Sequence, residues 1–191
     1  MLSDSPSPWL AQTRAWVDRA VIGLNLCPFA KGPQVKGQVR YVLSDATATD
    51  ELRQDLLTEL QRLIDTPLEQ TETTLLVHPQ VLGDFFDYNH FLDEAERAVA
   101  ELDLTGVIQI ASFHPHYQFA GTDADDVTNA TNRSPYPTLH LIREDSIDRA
   151  VAAFPEAEAI YEVNMATMTR LGAEGWARLQ QQCRDDAAGA G

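Results

Sequence analysis

Basic residues are scarce in this 191-residue chain: 14 Lys and Arg stand against 29 Asp and Glu, a formal net charge of −15. A surface this acidic repels phosphate backbones and anionic lipid, which argues against nucleic-acid and membrane-surface partners. Long apolar runs are missing as well. No stretch of 18 apolar residues occurs, so no membrane-spanning helix is expected. The first six residues lack the basic start and apolar middle of a secretory signal. Cysteine is limited to Cys27 and Cys183, which form no CxxC pair, and that usage suits a reduced, cytoplasmic setting. Walker loops, GxGxxG, GxSxG and HExxH are all absent, so nucleotide binding and the common hydrolase chemistries receive no direct support.

What is present is an ordinary globular composition, 44% hydrophobic and 23% charged, long enough for one domain with a sizeable core. We expect that domain over residues 1–184, with a flexible tail at 185–191. Ser7-Pro8 is a helix start, cap followed by a first-position proline, and Leu10, Val17, Val21 and Leu24 continue one apolar face until Pro28. Residues 31–38 look like a loop. Strands are expected at 39–43, 73–77, 107–113 and 138–143, and helices at 49–64, 87–102, 146–154 and 155–171, the last stopped by Gly172. A short helix around Trp176, Leu179 and Cys183 follows. Strands alternating with helices predict a single layered α/β domain with a mixed, partly parallel four-stranded sheet flanked by helices. A ferredoxin-like α+β sandwich is the alternative.

Chemistry concentrates in three places. Two expected strands end in His-Pro, at His78-Pro79 and His114-Pro115, and parallel strands would bring both imidazoles to one sheet edge, where α/β folds bind ligands. His116 lies two residues past His114, and a His-x-His pair in an extended segment offers a metal two nitrogens from one side; a polar strand cap is the plainer reading. His140, between Leu139 and Leu141, reads as a structural or sheet-face histidine. Cys27 ends the first helix, where the carbonyl ends disfavour a thiolate unless a cation or metal is near; a small buried hydrophobe explains it equally well. The polar connection from 114 to 137 carries Tyr117, Asn129, Asn132 and Arg133. Arg among amide side chains suits a carboxylate or phosphate, and equally suits a loop pinned by its own hydrogen bonds.

With Gly-Leu-Asn-Leu-Cys-Pro-Phe at 23–29, Phe-His-Pro-His-Tyr-Gln-Phe at 113–119 and Asn-Arg-Ser-Pro-Tyr-Pro-Thr at 132–138, the chain resembles a bacterial family known as domain of unknown function 1415. The resemblance spans nearly the whole chain. It implies a one-domain bacterial protein and carries no activity, cofactor or catalytic residue with it.

The expectation is therefore a small-molecule enzyme whose Cys27, His114 and His116 form one centre. That centre is either a divalent transition-metal site (zinc or iron, with His78 or His90 added) or a thiol–imidazole pair. Tyr117, Asn129, Asn132 and Arg133 would hold a small anionic ligand. A non-catalytic metal- or ligand-binding module is the alternative.

Overall fold

The computed structural model describes residues 1–3, 7–153 and 159–189. Its centre is one mixed sheet of five strands: β1 (Leu2–Ser3), β2 (Val39–Ser44), β3 (Thr73–Val77), β4 (Ile108–Phe113) and β5 (Thr138–Arg143), in the order β1-β2-β3-β5-β4. β2 and β3 are parallel, β5 runs antiparallel between β3 and β4, and β1 adds a short antiparallel edge to β2. The four long strands fall where the alternation of apolar residues places them. β1 is a fifth, too short at two residues to show a period.

The helices are α1 (Pro8–Trp16), which continues as a π-helical turn (Val17–Ile22), α2 (Lys31–Val35), α3 (Thr49–Asp65), α4 (Phe85–Glu101), α5 (Glu144–Ala153) and α6 (Ile160–Gly189), with a 3-10 turn at Val127–Asn132. Ser7 caps α1 as expected, its Oγ accepting from the Leu10 N–H at 3.1 Å. Asp84 caps α4 through the Phe86 and Asp87 N–H groups, so that helix starts two residues before the expected 87. Residues 31–38, expected as loop, contain the short α2. The expected helix start at Pro155 lies outside the described residues. Gly172, at φ 69°, is non-helical and divides α6 into two helices at the expected stop, the second running on to Gly189. Asp186, in the expected flexible tail, is ion-paired with Arg19.

Helices cover both faces of the sheet, which separates this layered fold from the one-sided ferredoxin-like alternative. Val42, Leu76, Leu139 and Leu141 face α3 and α4, meeting Leu52, Leu56, Leu60, Tyr88, Ala95 and Val99. The intervening positions, Tyr41, Leu43, Leu75 and Val77, face α1 and α6, meeting Leu10, Trp16, Met168 and Trp176. The period of two in each strand thus serves two cores at once.

A charge lies within the α3 layer. Glu59 is wholly buried, and Arg40 from β2 binds it with two nitrogens, Nε at 2.7 Å and Nη2 at 3.2 Å. Removing one partner strands a buried charge, whereas replacing both removes the desolvation cost as well. Arg40→Ala is expected to destabilise the fold by about 3 kcal/mol, read as a lower urea midpoint at unchanged slope. The Arg40→Met/Glu59→Leu pair should recover most of that loss. An undiminished midpoint in the single variant would refute the pairing.

Candidate functional site

Because β5 is antiparallel to both of its neighbours, β3 and β4 run the same way and release His78 and His114 at one edge of the sheet. The aromatic ring of Tyr88, from α4, lies between them, 5.8 Å from the His78 ring and 5.0 Å from the His114 ring. The Tyr88 hydroxyl donates to the Thr138 carbonyl at 2.8 Å and accepts from the Phe113 N–H at 3.1 Å, tying the end of β4 to the start of β5.

Both nitrogens of His114 are engaged with backbone. Nε2–H donates to the Leu82 carbonyl at 3.1 Å, and Nδ1 accepts from the His116 N–H at 3.0 Å. Leu82 sits at φ 59°, a left-handed conformation that a branched side chain rarely takes, and His114 holds its carbonyl there. The His114-Pro115-His116 segment is a turn closed by the Tyr117 N–H on the His114 carbonyl, so the extended segment expected of His-x-His does not form. His116 is exposed, its ring 5.9 Å from that of His114, in an open groove of about 1010 Å³ with Asp84, Phe85, Asn89, Tyr117 and Phe119. His78 is buried, donates from Nδ1 to the Val81 carbonyl at 3.2 Å, and has no partner for Nε2 among the described residues. Burial holds its pKa down at about 4, so the ring is neutral.

The long connection is held by the residues expected to bind an anion. Buried Asn129 accepts from the Phe119 N–H and the Thr122 hydroxyl and donates to the Asp123 carbonyl at 2.8 Å. Arg133 donates from Nε to the Tyr117 carbonyl at 3.1 Å and from Nη2 to the Ala124 carbonyl at 2.6 Å. Asn132 reaches the Ser112 carbonyl at 3.5 Å. Donors that the sequence offers to a carboxylate or phosphate are thus engaged with the loop's own carbonyls.

Cys27 lies elsewhere. Phe113 faces the α1 side of the sheet, edge-on to Trp16 at 5.2 Å, and the next residue, His114, projects to the α4 side against Tyr88. Cys27 belongs to the α1 side, half-buried in a cavity of about 270 Å³. The structure thus places the Cys27 thiol, expected in one centre with His114 and His116, in the cavity on the α1 side, while His114 packs against Tyr88 on the α4 side. Among the described residues, no three or more His, Cys, Asp or Glu side chains are grouped to hold a metal ion, which removes the metal version of that centre, with or without His78.

The cavity brings a different imidazole to Cys27. Its floor is β3, β5 and β4, through Thr73, Leu75, His140, Ile142, Ala111 and Phe113; Trp16, Val21 and Phe29 wall it, and Ile147 and Ala150 of α5 roof it. His140 keeps accessible surface although its strand is flanked on both edges and covered on both faces. That surface belongs to the cavity. The Thr73 hydroxyl gives its hydrogen to the Leu141 carbonyl at 2.7 Å, so it accepts from His140 Nε2–H at 2.6 Å. His140 is thereby fixed with Nδ1 as an acceptor, and burial holds its pKa at about 4. Burial pushes the Cys27 thiol up, partly offset by the Phe29 and Ala30 N–H groups. At rest the cavity thus holds a protonated thiol and a neutral imidazole.

Compared with known proteins, the family model described as "Protein of unknown function (DUF1415)" matches residues 9–178. No curated protein and no solved structure matches the chain.

Tyr88→Phe leaves the Phe113 N–H and the Thr138 carbonyl short of a partner, and about 2 kcal/mol of stability should go with it, read by urea unfolding. His78 and His140 set a pH window. Their native pKa of about 4 lies below the unfolded value of about 6.5. Their contribution is complete above pH 6.5 and is lost as pH falls toward 4, because the unfolded chain takes the protons first. His140→Asn should reduce that slope by about one proton; an unchanged slope would contradict neutral burial of His140.

Proposed function

The chain belongs to the DUF1415 family of proteins of unknown function, and we propose that it is a small-molecule enzyme built on a thiol–imidazole pair, Cys27 with His140. The observation that carries this reading is that both side chains line one largely apolar cavity, in which the Thr73 hydroxyl fixes the imidazole tautomer. The arrangement follows the logic of a nucleophile, a base and an orienting third group. His140 Nδ1 takes the thiol proton as Cys27 Sγ forms a bond to an electrophilic carbon of the substrate, whose displaced electron pair moves onto its own heteroatom. The Nε2–H bond to Thr73 is kept throughout. His114 is a structural residue at the other face, and His116 and Tyr117 line a separate groove.

One observation favours a second reading, ligand binding without bond formation: burial raises the thiol and lowers the imidazole, so neither is charged at rest. Alkylation by iodoacetamide in a Cys183→Ser background separates the two. For the enzyme reading, the Cys27 rate at pH 7 falls roughly tenfold or more in His140→Asn, and in the native cavity it still climbs above pH 9. A rate insensitive to His140 would overturn the pair and leave the binding reading.

A further inference from the structure

The helix over the cavity is short of something to cover. α5 follows β5 without a break, is amphipathic, and yet buries none of its residues. Ile147 and Ala150 on its apolar side line the cavity. An amphipathic helix normally gains its stability by burying that stripe. The volume beneath it, about 270 Å³, is near the lower end of small-ligand sites, about 300 Å³.

The polar atoms around this space define what would fill it. Thr73 has its hydrogen engaged by the Leu141 carbonyl and one lone pair by His140. Ser146 accepts from Arg149, which also lies 3.8 Å from Glu72. Neither Lys nor Arg lines the cavity, and Glu72 is its one charged lining residue, so nothing there balances an anion. His140 Nδ1 remains as an acceptor, and the indole N–H of Trp16 as a donor, each with no partner among the described residues. The floor is a flat sheet surface, with Ala111 in place of a large side chain.

We infer that the cavity is the seat of a neutral, flat, largely apolar molecule carrying one hydroxyl or N–H that donates to His140 Nδ1, and that α5 buries its apolar side against this ligand. A donor on Nδ1 occupies the nitrogen that would take the Cys27 proton, so the inference names a ligand of the cavity and rests on the second reading above, binding without bond formation. The anionic ligand expected from the loop chemistry has no counterpart here.

The test uses the full chain and three probes of one shape: 2-naphthol, 2-methoxynaphthalene, which lacks the donor, and naphthalene-2-carboxylate, which is an anion. By titration calorimetry at pH 7, 2-naphthol is expected to bind at least tenfold more tightly than either of the others. His140→Phe should erase its advantage over the methoxy compound. Ala150→Trp, a change in the roof that leaves the sheet intact, should abolish binding without lowering the thermal midpoint. Hydrogen exchange over residues 144–153 should slow when 2-naphthol is bound. Equal affinity for 2-naphthol and 2-methoxynaphthalene, undiminished binding to Ala150→Trp, or no binding of 2-naphthol would each overturn the inference. Cys27→Ser keeps the two proposals apart: it should bind 2-naphthol as the native chain does, whatever the alkylation experiment says of the thiol.

Discussion

A single hydroxyl holds the edge of the sheet on which everything polar depends. The Tyr88 oxygen takes the Phe113 N–H and serves the Thr138 carbonyl, at the two points where the chain leaves β4 and re-enters as β5. Between those points lie residues 114–137, and their clamps (Asn129, Arg133 and the Asp126 cap) need fixed strand ends to act on. The same ring separates His78 from His114, keeping two neutral imidazoles in an apolar layer. A phenol suits this position because its ring buries like Phe while its oxygen satisfies one donor and one acceptor together.

Two kinds of polar chemistry are consequently divided by the sheet. On the α4 side, His78 and His114 are engaged with backbone carbonyls, and His114 holds a left-handed Leu82. On the α1 side, His140 has an acceptor to offer. The abundance of polar residues in the loop marks structural demand, since every buried carbonyl there needs a donor.

Much of the architecture was legible in the residues. Strands 73–77 and 138–143 and the Ser7-Pro8 cap follow from local patterns, and the shared edge of His78 and His114 followed once parallel strands were assumed. The site was legible only in part. Cys27 stood out, but its partner depends on which face each strand position takes, and a shift of one residue between Phe113 and His114 reverses the answer. His140 was discounted because a polar residue between two leucines usually marks a solvated face. Here helices cover both faces, so the same alternation turns the imidazole toward an internal cavity. The orphaned indole N–H of Trp16, buried in the cavity wall, left no trace in the sequence pattern.

The strand order also has a consequence in time. β5 occupies the interior of the sheet but is the last of its strands to be synthesised, and Thr73 must await a partner 67 residues further along, His140. At roughly 5–20 residues per second, that separation corresponds to several seconds of translation. Throughout that interval the edge of β3 presents Leu75, Leu76 and Val77 with an open hydrogen-bonding ladder, the arrangement most prone to pairing with a neighbouring chain.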